Sequence, residues 1–301
     1  MGLFSLIKNH FPDIEIHMST QASVRNIEGV KYFAKQNIDR VVLAREMNIR
    51  EIEEICHNCS IDIEVFVHGA LCMSYSGQCL MSSMIAKRSG NKGECGQPCR
   101  LPYSLLEDNK IIKKQKYLLS PMDLCTIEKV PKLIDAGIKS FKIEGRMKTA
   151  LYVAVVARTY RQAVDDYFED PEKYKKNIPY YQAEIAKCTY RQFTTGFFFG
   201  KPTHETQIYD NNTYQKGAVY LGQVKEVTED GYVVFFQKNK FRVGDMIEIM
   251  KKNGENQTVS VLQMLNEDGE ETDSCPHPGE KICMRVDGVV CAGEIMRGIE
   301  R

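Results

Sequence analysis

Short apolar runs alternate with helical patterns from residue 14 to residue 170, and this alternation is the strongest constraint on the fold. Runs such as "IEIHMST", "RVVLARE" and "IEVFVHG" have the length and composition of buried strands. Each run is followed by residues with apolar side chains at helical spacing. Strands that alternate with helices form parallel sheets, so the sequence predicts an α/β fold, either an open sheet or a TIM-like β/α barrel.

About four strands fit into this region, whereas a complete β/α barrel needs eight. A helix-like segment, "GLFSLIKNHF", also precedes the first predicted strand. We therefore expect a partial barrel from which an N-terminal portion has been lost. The alternative is an open sheet.

Only β-strands are predicted after about Gly217. Runs such as "AVYLGQVKEV", "YVVFFQ" and "TVSVLQML" are separated by Gly, Asp and Asn turns at the intervals of a small barrel or sandwich. We predict two domains. Residues 1–200 form the partial β/α barrel, with a cysteine-rich loop at about 68–125, and residues 201–301 form a connector and a small all-β barrel.

Charge and hydropathy favour a cytoplasmic protein without a membrane partner. The 40 Lys and Arg residues balance the 40 Asp and Glu residues, so no overall field attracts nucleic acid or a membrane. No apolar run approaches the roughly 18 residues of a membrane span, and the first residues do not resemble a secretory signal. A local basic run is interpreted as part of a solvated hairpin; it comprises Lys110, Lys113, Lys114 and Lys116.

Polar side chains cluster at the predicted strand ends and in the loop that follows the third strand. Catalytic groups of β/α barrels lie at the carboxyl ends of strands, so these side chains are expected to converge on one pocket. Arg and Lys suit a ligand with a carboxylate or phosphate. The alternative is a set of ion pairs that fix the barrel rim. The candidates are Gln21, Arg45, Arg100, Lys142 and Arg146 for substrate binding, and Glu46, Glu64, His68 and Glu144 for catalysis.

The cysteines raise a separate question. A reducing cytosol disfavours disulfides, and the eleven cysteines are an odd number. Zinc sites usually contain tight C-x2-C pairs, which this stretch lacks, whereas an iron–sulfur cluster is held by four thiolates that can be widely spaced. Spacing alone leaves a cluster, a zinc site and structural thiols open. The cysteines concerned are Cys72, Cys79, Cys95, Cys99 and Cys125.

Four segments resemble the U32 peptidase family, also called collagenase-like proteases: "EVFVHGALCMSYSGQCLMSS", "RSGNKGECGQPCR", "SPMDLC" and "SFKIEGRMKTALYVAVVARTYRQAVD". Within this family the sequence is most similar to the bacterial prephenate-dependent tRNA uridine hydroxylases. The likeness covers about residues 14–200. The terminal β domain resembles the elongation-factor-like barrel that many members carry.

The resemblance implies a [4Fe-4S] cluster, with Cys99 as a neighbouring thiol outside the ligand set. It implies hydroxylation of a wobble uridine in tRNA to 5-hydroxyuridine, with prephenate as co-substrate. It also implies a longer N-terminal part of the barrel. A shortened chain could instead be a non-catalytic subunit that carries the cluster and pairs with another family member. The implied cluster ligands are Cys72, Cys79, Cys95 and Cys125.

The family name indicates a peptidase, but the residues give this reading little support. The sequence contains no His-Glu-x-x-His, Gly-x-Ser-x-Gly or Asp-Thr-Gly motif. A cysteine protease needs a low-pKa thiolate beside a histidine. His68 is near Cys72 in sequence, yet a thiolate that binds a cluster cannot also act as a nucleophile. The residues alone therefore make the peptidase reading weak, and the hydroxylase reading is what the resemblance implies.

Overall fold

The chain divides into two compact units. The first consists of residues 1–147 and 190–214, and the second of residues 148–189 and 215–301. The computed structural model describes residues 2–210, 217–252 and 255–299 of these units. The predicted division at residue 200 differs in placing residues 148–189 with the first domain. The predicted connector falls partly on residues 211–216, which lie outside the described residues.

Helices and short strands alternate through the first unit. Its described helices are α1 (Gly2–His10), α2 (Ile27–Lys35), α3 (Ile49–Asn58), α4 (Met81–Ala86) and α5 (Val130–Asp135). Its described strands are β1 (His17–Met18), β2 (Arg40–Val42), β3 (Asp62–Ala70), β4 (Tyr103–Glu107), β5 (Lys110–Lys116), β6 (Asp123–Cys125), β7 (Ser140–Ile143) and β8 (Phe193–Thr194).

A mixed sheet forms the centre of the first unit. Its strand order is β1-β2-β3-β6-β8, and β7 also pairs with β3. The pairs β1–β2, β2–β3, β3–β7 and β6–β8 are parallel, whereas β3 and β6 are antiparallel. The expected α/β fold with parallel strands is therefore confirmed. Among the described residues this sheet does not close, so the TIM-like barrel stays a prediction.

Burial explains why β3 is the central strand. Its residues 63–69 are all buried, as expected of a strand covered on both faces. Helix α3 packs through Ile52 and Ile55, which are buried. This helix begins with a capping box, in which the side chains of Asn48 and Glu51 each accept a hydrogen bond from the other residue's backbone N–H. The parallel strands and their helices thus bring the strand ends to one edge.

The second unit combines two long helices with a barrel. The helices are α6 (Ala150–Glu169) and α7 (Pro171–Ala186). The described strands are β9 (Ala218–Val227), β10 (Val233–Phe236), β11 (Met246–Met250), β12 (Asn256–Leu265), β13 (Lys281–Val286) and β14 (Ile295–Ile299). They close into an antiparallel barrel in the order β10-β13-β12-β11-β14-β9, which confirms the all-β prediction.

Charged side chains tie α7 to this barrel. Arg297 on β14 is fully buried; it donates to both carboxylate oxygens of Glu184 at 3.0 Å and to Glu248 at 2.6 Å. Arg158 on α6 donates to Glu184 at 2.8 Å. Because a buried charge is costly unless it is paired, this network fixes how the helices pack on the strands.

Within the ranges that the structure describes, no helix has the length and apolarity needed to cross a membrane.

Candidate functional site: the cysteine loop

The segment between β3 and β4 contains four of the cysteines, and we call residues 71–100 the cysteine loop. It includes α4 and leaves the sheet at the carboxyl end of β3. Cys125 lies at the end of β6, directly opposite His68 in the strand register. Cys125 is therefore next to the strand that feeds the loop, although it is far away in sequence.

Four thiols of the loop lie close enough to influence one another. Burial raises the pKa of Cys72, and negative charge on Cys79 or Cys95 raises it further. Burial also raises the pKa of Cys99, which responds to charge on the other three sulfurs. The structure thus groups Cys99 with Cys72, Cys79 and Cys95. Because the raised pKa values of Cys72 and Cys99 keep these two thiols protonated, binding of a metal by either would release a proton.

Backbone amides donate to two of the sulfurs. The N–H of Gln97 donates to Sγ of Cys95 at 3.4 Å, and the N–H of Ser74 donates to Cys72. In the described ranges, no group of three or more His, Cys, Asp or Glu side chains is arranged around a single metal ion. Grouped soft thiols with amide donors nonetheless suit the ligand chemistry of an iron–sulfur cluster.

Glu46, predicted to be catalytic, holds the loop through Ser76. The backbone N–H and the hydroxyl of Ser76 donate to Oε1 of Glu46 at 2.8 and 3.2 Å. The N–H of Arg45 donates back to Oγ of Ser76 at 3.1 Å. The other carboxylate oxygen, Oε2, is buried and has no hydrogen-bond partner among the described residues. Only Oε1 of the Glu46 carboxylate is therefore shown to position the loop.

The Arg45 side chain lies against an aromatic ring and is close enough to Cys72 to respond to its charge. Its guanidinium is 3.9 Å from the centre of the Phe66 ring and 4.0 Å from the carboxylate of Glu144. Burial lowers the pKa of Arg45, whereas charge on Cys72 and Glu144 raises it. No hydrogen bond of this guanidinium is found in the described part of the chain. Its N–H donors are therefore available to an anionic ligand.

Gln21 and Arg146, predicted to bind substrate, both contact the cysteine loop. The side-chain amide of Gln21 donates to the carbonyl of Asn91 at 3.0 Å. The guanidinium of Arg146 lies against Gly93, where a Cβ would be 1.7 Å from its Nη1 atom. Only glycine leaves room for this contact, and its φ of +79° also favours glycine.

Arg100, predicted to bind substrate, lies inside the protein and is only 4% exposed. Its guanidinium donates to Oγ of Ser120 and to the carbonyl of Leu71, both at 3.0 Å, and also to the carbonyl of Pro121. Because these contacts join the start of the loop to the segment before β6, Arg100 fixes the loop from within.

Glu64 and Lys142 form an ion pair, as in the alternative reading of the strand-end residues. Lys142 donates to Glu64 at 2.7 Å, Ser140 donates at 2.8 Å, and Arg40 lies 3.5 Å away. Burial raises the pKa of Glu64, but these partners outweigh it and the net pKa is lowered. Glu64 is therefore held as a carboxylate, which does not suit it to donate a proton.

The remaining predicted catalytic residues lie at the same edge of the sheet. Glu144 accepts a hydrogen bond from the N–H of Arg146 at 3.1 Å and faces Arg45. His68 is 1% exposed, and its ring centre lies 5.6 Å from that of Phe193. The structure thus brings Arg45, Glu144 and the loop thiols together.

Three residues that contact the predicted site residues were not identified from the sequence: Ser76, Phe66 and Gly77. Ser76 links Arg45 and Glu46 to the loop, and Phe66 supplies the ring beneath Arg45. Gly77 approaches the backbone carbonyl of Gln21, where a Cβ would be 2.4 Å away. The glycines could have been suspected from their density beside the cysteines, but no sequence signal identifies Ser76.

These features define a class: an α/β protein with a cysteine-rich loop at its parallel strand ends, followed by a small antiparallel barrel. The chain belongs to peptidase family U32. The family's own pattern matches residues 1–208, and the pattern of the U32 C-terminal domain matches residues 216–297.

Three relatives with assigned names illustrate the range of this family. The tRNA hydroxylation protein P1 of Bacillus subtilis is 37% identical over 294 residues, which is 95% of this chain and 69% of that protein. The 23S rRNA 5-hydroxycytidine C2501 synthase of Escherichia coli is 34% identical, over 76% of this chain and 35% of that protein. A collagenase of Porphyromonas gingivalis is 33% identical, over 78% of this chain and 60% of that protein.

Proposed function

We propose that this chain is a cytoplasmic RNA-modifying protein that takes part in hydroxylation of a wobble uridine in tRNA, giving 5-hydroxyuridine. Relatives named for tRNA and rRNA hydroxylation support this class of reaction. Prephenate is the proposed co-substrate. A paired subunit of the same family is the proposed partner, and the open sheet is proposed to be part of a TIM-like barrel.

The observation that carries the proposal is the Arg45 guanidinium beside the loop thiols. It stacks on Phe66 and keeps its N–H donors available next to Cys72. A guanidinium group can donate two parallel hydrogen bonds to one carboxylate, and prephenate carries carboxylates. Arg45 would orient the co-substrate, and the neighbouring carboxylate of Glu144 would hold or move a proton.

We propose that Cys72, Cys79, Cys95 and Cys125 hold a [4Fe-4S] cluster, with Cys99 beside it. Support comes from the mutual influence of the loop thiols and from the position of Cys125 opposite His68. When bound, the cluster would supply electron transfer or activation of a substrate. The protein's own residues hold the loop in place through Gln21, Glu46 and Arg100.

Ligand identity is tested by iron content rather than by activity. Protein purified without oxygen should be brown and contain about four iron atoms per chain. Cys125→Ser should lower the iron content strongly, and Cys99→Ser should retain it. If Cys125→Ser contains as much iron as the wild type and Cys99→Ser loses its iron, then Cys99 is the fourth ligand and Cys125 is the neighbouring thiol. A colourless protein with stoichiometric zinc would contradict the cluster.

The proposed reaction is tested by mass spectrometry of tRNA nucleosides from a strain that lacks the gene. The 5-hydroxyuridine-derived nucleosides should disappear and should return when the gene is restored. Unchanged amounts of these nucleosides in the deletion strain would refute the tRNA reaction.

A peptidase is the second candidate, because one relative carries the name collagenase. It predicts cleavage of gelatin or collagen peptides by the purified chain. Cleavage that persists in Cys72→Ser and after removal of iron would support a protease. Cleavage that is absent from the purified wild type removes this candidate.

A further inference from the structure

The hairpin formed by β4 and β5 projects from the end of the cysteine loop. Every residue of β5 and four of the five residues of β4 are exposed. Within the described residues these two strands pair only with each other. Isolated hairpins are marginally stable in water, and exposed apolar surface marks interaction sites. The exposed aliphatic side chains are Leu105, Leu106, Ile111 and Ile112.

The hairpin has a defined shape and a fixed base. Both turn residues, Asp108 and Asn109, have positive φ, which gives the tight turn that suits twisted strands. At the base, the hydroxyl of Tyr103 donates to the carbonyl of Pro98 at 2.8 Å. Lys116 pairs with Asp210 at 2.9 Å. The ribbon is thus anchored beside Cys99 and extends about 20 Å from there.

Lysines that lack ion pairs lie along the outer part of this ribbon. In the part of the chain that the structure describes, no carboxylate forms an ion pair with Lys110, Lys113 or Lys114. Their positive charge is local, because the whole chain has a net charge of zero. Unpaired ammonium groups on an exposed ribbon are complementary to a polyanion.

We propose that the β4–β5 hairpin is an RNA-binding ribbon. Lys110, Lys113 and Lys114 contact phosphates, and the aliphatic side chains cover ribose and base surfaces. This inference rests on the proposed function, because it assigns the RNA substrate to a particular surface. RNA is favoured over an acidic protein because the ribbon is anchored at the loop where the RNA would be modified.

The first test removes two lysines and measures tRNA binding. K113Q/K114Q is compared with the wild type and with K175Q/K176Q, a matched loss of two exposed lysines on α7 in the second unit. Unfractionated bacterial tRNA is titrated at several salt concentrations. We expect the hairpin variant to bind about tenfold more weakly at low salt, with a log–log salt slope smaller by about one to two. The control should match the wild type.

A second variant tests the apolar part of the ribbon. L106S/I111S should weaken tRNA binding but leave the salt slope unchanged, because no phosphate contact is lost. Thermal unfolding should be unaltered in both hairpin variants, since these side chains are exposed. Wild-type affinity and slope in K113Q/K114Q would overturn the inference. A changed oligomeric state in L106S/I111S with unchanged tRNA affinity would also overturn it, and would indicate a protein interface.

Nucleoside analysis separates this inference from the proposed function. If K113Q/K114Q loses tRNA affinity while the deletion strain keeps its 5-hydroxyuridine-derived nucleosides, RNA binding by the hairpin is supported and the proposed reaction is refuted. If the deletion strain loses these nucleosides and K113Q/K114Q binds tRNA like the wild type, the proposed reaction is supported and RNA binding by the hairpin is refuted.

Discussion

Several polar residues at the strand ends contact the chain itself. Gln21, Glu46 and Arg146 each contact the cysteine loop, and Arg100 holds it from within. Arg45 differs, because its guanidinium stacks on Phe66 and keeps its hydrogen-bond donors available. At the residue scale, the site consists of a largely buried Arg45 guanidinium near Cys72 and a shell of side chains that fixes the loop.

Replacement of Arg100 tests this supporting shell. Arg100→Gln leaves the carbonyls of Leu71 and Pro121 without their charged donor, and should lower the free energy of unfolding by about 3 kcal/mol. The measurement is urea unfolding. Arg88→Gln, at an exposed position in the same loop, should have little effect. Equal stability of Arg100→Gln and wild type would mean that Arg100 does not support the loop.

Replacement of Gly77 tests the close approach of the cysteine loop to the backbone of Gln21, which follows the first strand. Gly77→Ala places a Cβ 2.4 Å from the carbonyl oxygen of Gln21 at a φ of +77°, and should cost about 3 kcal/mol in unfolding free energy. Gly196→Ala is the matched control, with a positive φ of +58° but nearest atoms at 3.5 Å. It should cost about 1 kcal/mol. Equal losses would show that backbone conformation alone, without the close approach, accounts for the effect.

At the scale of secondary-structure elements, α7 is attached to the barrel by ionised side chains. Glu184 is 2% exposed and lies among Arg297, Arg158 and Lys187. Burial raises the pKa of Glu184, but the hydrogen bond from Lys187 and the charge of Arg297 outweigh it and lower the pKa below 4.5. The position of the helix therefore depends on an ionised Glu184.

This lowered pKa predicts how stability depends on pH. Because the pKa of Glu184 is lower in the folded state than in the unfolded state, the ionised carboxylate stabilises the fold above pH 4.5. This stabilisation is lost as the pH falls through the folded-state pKa. Glu184→Gln should lose about 3 kcal/mol at pH 7 and depend less on pH below 4.5. Glu172→Gln, which removes an exposed ion pair with Lys175, is the control. A Glu184→Gln protein with the wild-type acid profile would contradict this assignment.

At the scale of the whole molecule, the sequence predicts the elements better than it predicts their contacts. The alternating pattern correctly indicated parallel strands before residue 147, and the turn spacing correctly indicated the C-terminal barrel. Pattern alone could not place α6 and α7 with the barrel, because their attachment depends on Arg297 and Glu184, which are 113 residues apart. Pattern alone also could not show that Arg100 holds the loop while Arg45 stacks on Phe66, because this difference depends on tertiary contacts.

The central claim, that the cysteine loop carries a tRNA hydroxylation reaction, is tested most directly by complementation of the deletion strain. Wild type and Cys283→Ser, which changes a partly buried thiol of the barrel, should restore the 5-hydroxyuridine-derived nucleosides. Cys72→Ser should produce a folded protein that restores none. Full restoration of these nucleosides by Cys72→Ser, measured by mass spectrometry of purified tRNA, would contradict the claim.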